Sequence, residues 1–222
     1  PQTVNLLKRA CEKEKAERKT SQIASRIKSA KFGQVQTAAD FDFKHSKMTQ
    51  RIEGTYLSIH NNIDKDNLPK AIFVGNPGVG KTHLARSLGY ASCQKGLSTL
   101  YMTAAQMANQ LIQAQKLATL DKEIARLKKP HVLIIDELGY VDFDTQGSQL
   151  FFQVISARHD AGLGLVVTTN LNFGQFNQIF ANEAVATVVV DRMVNEAEIF
   201  YMEGESYRKH QRAMKIKSEK KA

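Results

Sequence analysis

Beyond Lys70 the chain alternates short, almost wholly apolar runs with longer stretches whose apolar residues recur at helical spacing. The runs Ala71–Val74, Ser98–Met102, His131–Ile135, Leu163–Thr168 and Glu198–Met202 predict strands. Helices are predicted between them, at about 82–94, 103–128, 145–160 and 173–195. Thr103-Ala104-Ala105-Gln106 has the form of a capping box, which marks a helix start. Runs that are apolar throughout suit strands buried on both faces. Their alternation with helices predicts an α/β fold, a parallel five-stranded sheet with helices on both faces.

Before Lys70 the rhythm differs. Residues 3–31 read as a helix rich in Lys, Glu, Ala and Arg, with an apolar stripe at Ile23, Ile27 and Ala30. Phe32–Thr37 reads as a loop, Ala39–Phe43 as a compact aromatic and acidic element, 46–62 as a helix, and Asn61–Pro69 as a polar connection. The chain shows no internal repeat and no low-complexity linker. It divides into a helical N-terminal arm (1–37), a core (38–208) and a C-terminal tail (209–222).

Composition narrows the class. A chain of 222 residues with 42% hydrophobic content suits one α/β domain with extensions. No stretch approaches the ~18 apolar residues of a membrane span, and no signal peptide is visible. The chain begins at Pro1 rather than Met, so its natural N-terminus is expected upstream. Cys11 and Cys93 lack metal-ligand spacing and suit a reducing cytosol; none of the six histidines has zinc-ligand spacing.

The net charge of +9 is unevenly placed. Residues 1–31 carry nine Lys and Arg against three Glu, and residues 208–222 carry seven against one, which leaves the middle of the chain net acidic. Basic ends are a footprint of nucleic-acid binding or, equally, of solubilising tails.

The candidate chemistry lies at strand ends. Gly75-Asn76-Pro77-Gly78-Val79-Gly80-Lys81-Thr82 has the form G-x-x-x-x-G-K-[ST], and it follows a predicted strand and opens a predicted helix. Its glycines let backbone N–H groups close on a triphosphate, and the helix N-terminus adds a positive dipole. Lys81 is expected to neutralise phosphate charge and Thr82 to hold Mg²⁺. With His83, the loop from Gly75 makes the nucleotide-binding set. Val132–Ile135 ends in Asp136-Glu137. Asp136 is expected to bind Mg²⁺ through water, and Glu137 to orient and activate the attacking water. Leu165–Thr168 leads to Thr169-Asn170, whose amide suits a contact with the γ-phosphate or that water. A small-molecule kinase built on the same loop is the rival of another class. It has less need of a water-activating carboxylate or of basic ends.

Glycine loop, Asp-Glu strand and Thr-Asn strand, in this order, resemble the AAA+ ATPases, with Asn170 as sensor 1. "IDELGYVDFDTQGSQLFFQVISARHDAG", "VVTTNLNF", "VVVDRMVNEAEIFYMEGESYR" and the upstream "ADFDF" narrow the resemblance to the IstB-type ATP-binding proteins of insertion sequences, close relatives of the DnaC-type helicase loaders. The resemblance runs from about residue 22 to 208.

The resemblance implies a cytoplasmic, Mg²⁺-dependent ATPase without a full helical lid. Such a protein would form a ring or helical oligomer on duplex DNA and assist a transposase; helicase loading is the alternative. Arg192 matches the arginine finger that reaches a neighbour's nucleotide, and Arg208 matches sensor 2. Phe41 and Phe43 would lie near the adenine. Arg158 is a further candidate for the interface. The DNA surface is expected among Lys19, Arg26, Lys28 and Lys31 of the arm, Lys116, Arg126 and Lys128 of the core, and Arg212 and Lys215 of the tail. With no base-reading module in the sequence, contact with the backbone is the expected mode.

Overall fold

A computed structural model describes residues 2–207, 209 and 212. Five parallel strands, β1 (Lys70–Gly75), β2 (Thr99–Thr103), β3 (Val132–Asp136), β4 (Gly164–Thr169) and β5 (Glu198–Met202), form one sheet in the order β2-β3-β4-β1-β5. Helices α1 (Gln2–Ala30), α2 (Lys47–Asn61) and α3 (Lys81–Gln94) precede or follow β1. Helices α4 (Ala104–Lys116), α5 (Leu120–Lys128), α6 (Thr145–Asp160) and α7 (Glu183–Val194) come later. The fold is the parallel α/β class expected from the sequence.

Side-chain alternation explains the two layers. In β1, Ile72 and Val74 join the core beneath α4, α6 and α7, while Ala71 and Phe73 join the core beneath α2 and α3. In β3, Leu133 and Ile135 face the first layer, and Val132 and Ile134 face the second. A strand buried on both faces needs apolar residues at both parities, which is why the runs read as continuous.

Two predicted helices are broken. The stretch 103–128 is α4 and α5, separated at Leu117-Ala118-Thr119. Ala118 has φ 53°, Thr119 N–H donates to the Ala114 carbonyl at 2.7 Å, and Ala118 N–H donates to Gln115. This is a left-handed C-terminal turn with alanine where glycine is usual, so no breaker marks it in the sequence. The stretch 173–195 is a 3₁₀ segment, Phe173–Gln178, and then α7. Between them Phe180 pairs with Phe143 as an isolated bridge and stacks on its ring at 5.1 Å. Asn182 restarts the helix by accepting from Ala184 N–H at 2.8 Å.

The base of the arm belongs to the core. Ala30 and Phe32 are buried and Ile27 packs against them, while residues 11–22 of α1 are all exposed. α1 is 29 residues long, roughly 43 Å at 1.5 Å per residue, so most of it projects from the domain.

Arg158, expected at an interface, is 1% exposed. Its guanidinium donates to the carbonyls of Leu127 (2.7 Å), Pro130 (3.1 Å), His131 (3.2 Å) and Gly164 (2.6 Å). It closes the end of α5 over the starts of β3 and β4. Burial lowers its pKa to about 10, which leaves it charged at neutral pH. Arg158→Ala is expected to cost on the order of 3–5 kcal/mol in urea unfolding, because buried carbonyls left without a donor each cost about 1–3 kcal/mol. A loss under about 1 kcal/mol would overturn this clamp.

Candidate functional site

β1 delivers the glycine loop to the carboxyl edge of the sheet, where α3 begins. Gly75 has φ 153°, and a Cβ there would lie 1.9 Å from the Met202 carbonyl oxygen of β5. Gly80, at φ 100°, precedes the helix, and a Cβ there would meet the Phe41 ring at 2.4 Å. Gly78 and Gly80 both hold positive φ, the backbone conformation from which anion-binding nests of N–H groups are built. The Lys81 ammonium donates to the carbonyls of Gly75 (2.6 Å) and Asn76 (2.8 Å), which places it across the mouth of the loop.

The ends of β3 and β4 meet this loop. Asp136 is 2% exposed. Its Oδ1 accepts from the Thr82 hydroxyl at 2.9 Å and from Thr168, and its Oδ2 accepts from Tyr101 at 2.5 Å. Arg86 donates to the Tyr101 hydroxyl at 2.7 Å. Burial, with the hydrogen bond to Asp136 second, pushes the Tyr101 phenol up to about 12. Glu137 is exposed at φ 62°, a left-handed conformation uncommon for a non-glycine residue. Its N–H donates to Thr168 at 3.0 Å. Asn170 Oδ1 is buried without a hydrogen-bond partner among the described residues. It packs where a Gly139 Cβ would stand, 2.1 Å away.

These groups share a cleft of about 910 Å³ that also reaches the turns after α1. Phe41 lines the cleft; Phe43 is turned away from it and packs behind Phe41 against Tyr56. His83 Nε2 donates to the Thr37 carbonyl at 2.8 Å, which leaves Nδ1 to accept from Gln36 at 3.2 Å. Tyr207 N–H donates to the Gly78 carbonyl at 3.0 Å, so the chain after β5 is tied to the glycine loop.

Arg192 lies elsewhere. It lies in the last turn of α7, pairs with Asp160 at 3.0 Å and rests over the Phe152 ring at 5.5 Å. With His159, Lys70 and Glu196 it lines a small pocket at the amino edge of the sheet. The length of β1, roughly 17 Å at 3.3 Å per residue, separates that edge from the glycine loop. Lys19 and Lys28 are exposed on α1, with Lys31 exposed just past its end, and Arg26 is partly buried. Lys116 ends α4, Lys128 ends α5, and Arg126 is already held by Glu123 and Gln110. Arg212 is exposed. Arg208 and Lys215 lie outside the described residues.

Sequence reading missed Tyr101, Arg86 and Thr168. Tyr101 sits inside an apolar run and reads as core. Arg86 carries a signal only in its spacing, four residues after Thr82 and so on the same helix face.

The residues present fit a nucleotide and its cation: a nest of N–H groups, an ammonium across it, and a hydroxyl–carboxylate pair beside it. Strand order, glycine loop and acidic strand end together define an AAA+ P-loop nucleotide-binding domain. The chain belongs to the IstB-like ATP binding protein family, whose family model matches residues 2–215. It is 34% identical over 213 residues to the insertion sequence IS5376 ATP-binding protein of Geobacillus stearothermophilus, covering 96% of this chain and 83% of that one. It is 30% identical over 190 residues to the IS21 ATP-binding protein of Pseudomonas aeruginosa, covering 83% and 68%. In fold it resembles the DnaC helicase loader (TM-score 0.66, 19% identity, 77% of this chain and 98% of that one). It also resembles AMPPCP-bound DnaA of Aquifex aeolicus (TM-score 0.64, 15% identity, 82% and 55%). Among the described residues no helix is long and apolar enough to cross a membrane.

Gly75→Ala is expected to lower the melting temperature and abolish binding of a fluorescent ATP analogue, because the obstructing atom is backbone. Gly174→Ala, where a Cβ meets nothing within 4 Å, is the control and is expected to change neither. Parental binding by the Gly75 variant would show that β5 can move aside.

Proposed function

We propose that this chain is an Mg²⁺-dependent ATPase that assembles as an oligomer on duplex DNA, with little sequence preference, and assists a transposase in target selection and transposition. The observation that carries the ATPase reading is the convergence of Lys81, Thr82, Asp136, Glu137 and Asn170 on one cleft. Bound ATP with Mg²⁺ supplies the phosphoanhydride bond and the cation that neutralises its oxygens. The loop from Gly75 to Thr82 grips the phosphates through N–H groups, and Lys81 adds a positive charge. Thr82 and Asp136 hold the cation. Glu137 takes the proton of the attacking water, and Asn170 orients that water. Phe41 and His83 wall the base side.

Arg192 has no route to the cleft of its own chain, because it stands at the other edge of the sheet. Its proposed role is on the nucleotide of a neighbouring copy, where a finger of this kind is worth about 10³–10⁵ in rate. Arg208 would serve as sensor 2, a role supported by the approach of Tyr207 to Gly78. The basic arm, through Lys19, Arg26, Lys28 and Lys31, and the tail, through Arg212 and Lys215, would grip phosphates of DNA. Lys116 and Lys128 are the further candidates on the core.

The relatives favour transposition, since they are ATP-binding proteins of insertion sequences. The DnaC likeness is one of fold and supports helicase loading only through the shared core. Electron microscopy separates the two: copies ordered along duplex DNA with ATP support the first reading, and a ring seated on a helicase supports the second.

Glu137→Gln is expected to keep ATP binding, to slow phosphate release by about 10²-fold or more, and to prolong the DNA complex in gel shifts. Lys81→Ala is expected to lose both nucleotide and DNA binding. A glutamine variant that fails to bind ATP would remove Glu137 from its role. DNA binding that ignores nucleotide would end the assembly model.

Arg192→Ala is expected to bind ATP normally and hydrolyse it slowly. Mixed with Lys81→Ala it should regain part of the activity, because one interface then joins an intact loop to an intact arginine. No recovery in demonstrably mixed oligomers would exclude a shared site.

A further inference from the structure

Arg86 and Tyr101 form a partly buried connection that none of the roles above uses. Tyr101 is paired in register with Ile134, and Asp136 with Thr103. Tyr101 and Asp136 therefore lie on the same face of the sheet, diagonal to each other, and only a long side chain spans that gap. The phenol does so, donating to Asp136 Oδ2 at 2.5 Å. Arg86, one turn beyond Thr82 on α3, donates to the phenol oxygen at 2.7 Å, and its guanidinium carbon lies 4.5 Å from the ring centroid. Phe32 also packs against the ring, tilted, with centroids 6.4 Å apart. Tyr101 is thus held by Arg86 and Phe32, with its one hydroxyl proton committed to the carboxylate.

The geometry divides the two oxygens of Asp136. Oδ1 faces the Thr82 hydroxyl at the glycine loop and also accepts from Thr168, and Oδ2 is taken up by Tyr101 alone among the described residues. We propose that Tyr101, oriented by Arg86, is a positioning residue for the cation of the nucleotide site: it holds Asp136 in the rotamer that presents Oδ1 beside Thr82. Neither residue needs to touch the nucleotide or the metal. This inference rests on the ATP–Mg²⁺ reading of the cleft. Partners that orient a ligating carboxylate characteristically change metal affinity by about 10–100-fold when removed.

The test is a titration of Mg²⁺ into the full chain with a fluorescent ATP analogue held constant, set beside the same binding in EDTA. Tyr101→Phe keeps the ring packing and removes only the hydroxyl. It is expected to raise the half-saturating Mg²⁺ concentration by about 10-fold or more, with binding in EDTA close to the parent. Arg86→Met keeps the aliphatic stem and is expected to shift the midpoint in the same direction by less. Arg86→Lys, which can still donate to the phenol, is expected to recover most of it. A parental Mg²⁺ midpoint in Tyr101→Phe overturns the proposal and leaves the nucleotide site standing. Equal weakening by Arg86→Met with and without Mg²⁺ also overturns it, because Arg86 would then contact phosphate directly. A parent whose analogue binding ignores Mg²⁺ removes the reading on which the inference rests.

Discussion

A carboxylate withdrawn from water must be given donors, and the cleft is built around that requirement at Asp136. An ionised group buried without partners costs several kcal/mol. Here three hydroxyls meet it, from Thr82 on α3, Tyr101 on β2 and Thr168 on β4. The two strands that flank β3 supply two of the three, and the helix packed on that face supplies the third. Only a parallel sheet brings all these element ends to one edge. The same hydroxyl of Thr168 receives the Glu137 N–H, so the donor that satisfies the buried acid also holds the strained backbone of the exposed one.

The parts of this arrangement written into the local sequence are those with a local cause. Apolar runs located the strands; in β1, β3 and β4 burial on both faces leaves no polar parity, whereas the edge strand β5 exposes Glu198 and Tyr201. The glycine loop was legible because Gly75 and Gly80 hold conformations and contacts that exclude a side chain. Parts with a non-local cause were not legible. Ala118 ends a helix in a conformation usually given to glycine, and nothing in its neighbours announces it. Phe180 interrupts a helical pattern because its ring stacks on Phe143, 37 positions earlier in the chain. Arg158 looks like a surface cation at a helix end, yet it is the group that caps carbonyls from three segments. Tyr101 passes for a core aromatic until its hydroxyl is seen against Asp136.

Charge and topology divide the molecule in a consistent way. The acidic groups of the cleft lie at the carboxyl edge of the sheet, while Arg192 stands at the amino edge beside Asp160. On the proposed reading these are the two halves of one site, and no single chain can bring them together. Contact between unlike faces propagates head to tail, closing into a ring or continuing as a helix. Most of α1, a helix of roughly 43 Å, then extends as an arm from each copy.

The hydrogen bond from Tyr207 to Gly78 makes the glycine loop a mechanical junction as well as a binding surface. Three lengths of chain converge there: β1 entering, α3 leaving, and the segment that follows β5. Any rearrangement of Gly78 displaces the point from which the C-terminal residues depart. The loop and that departing segment are therefore coupled through a backbone hydrogen bond, with the Ser206 side chain packed against Gly78 beside it.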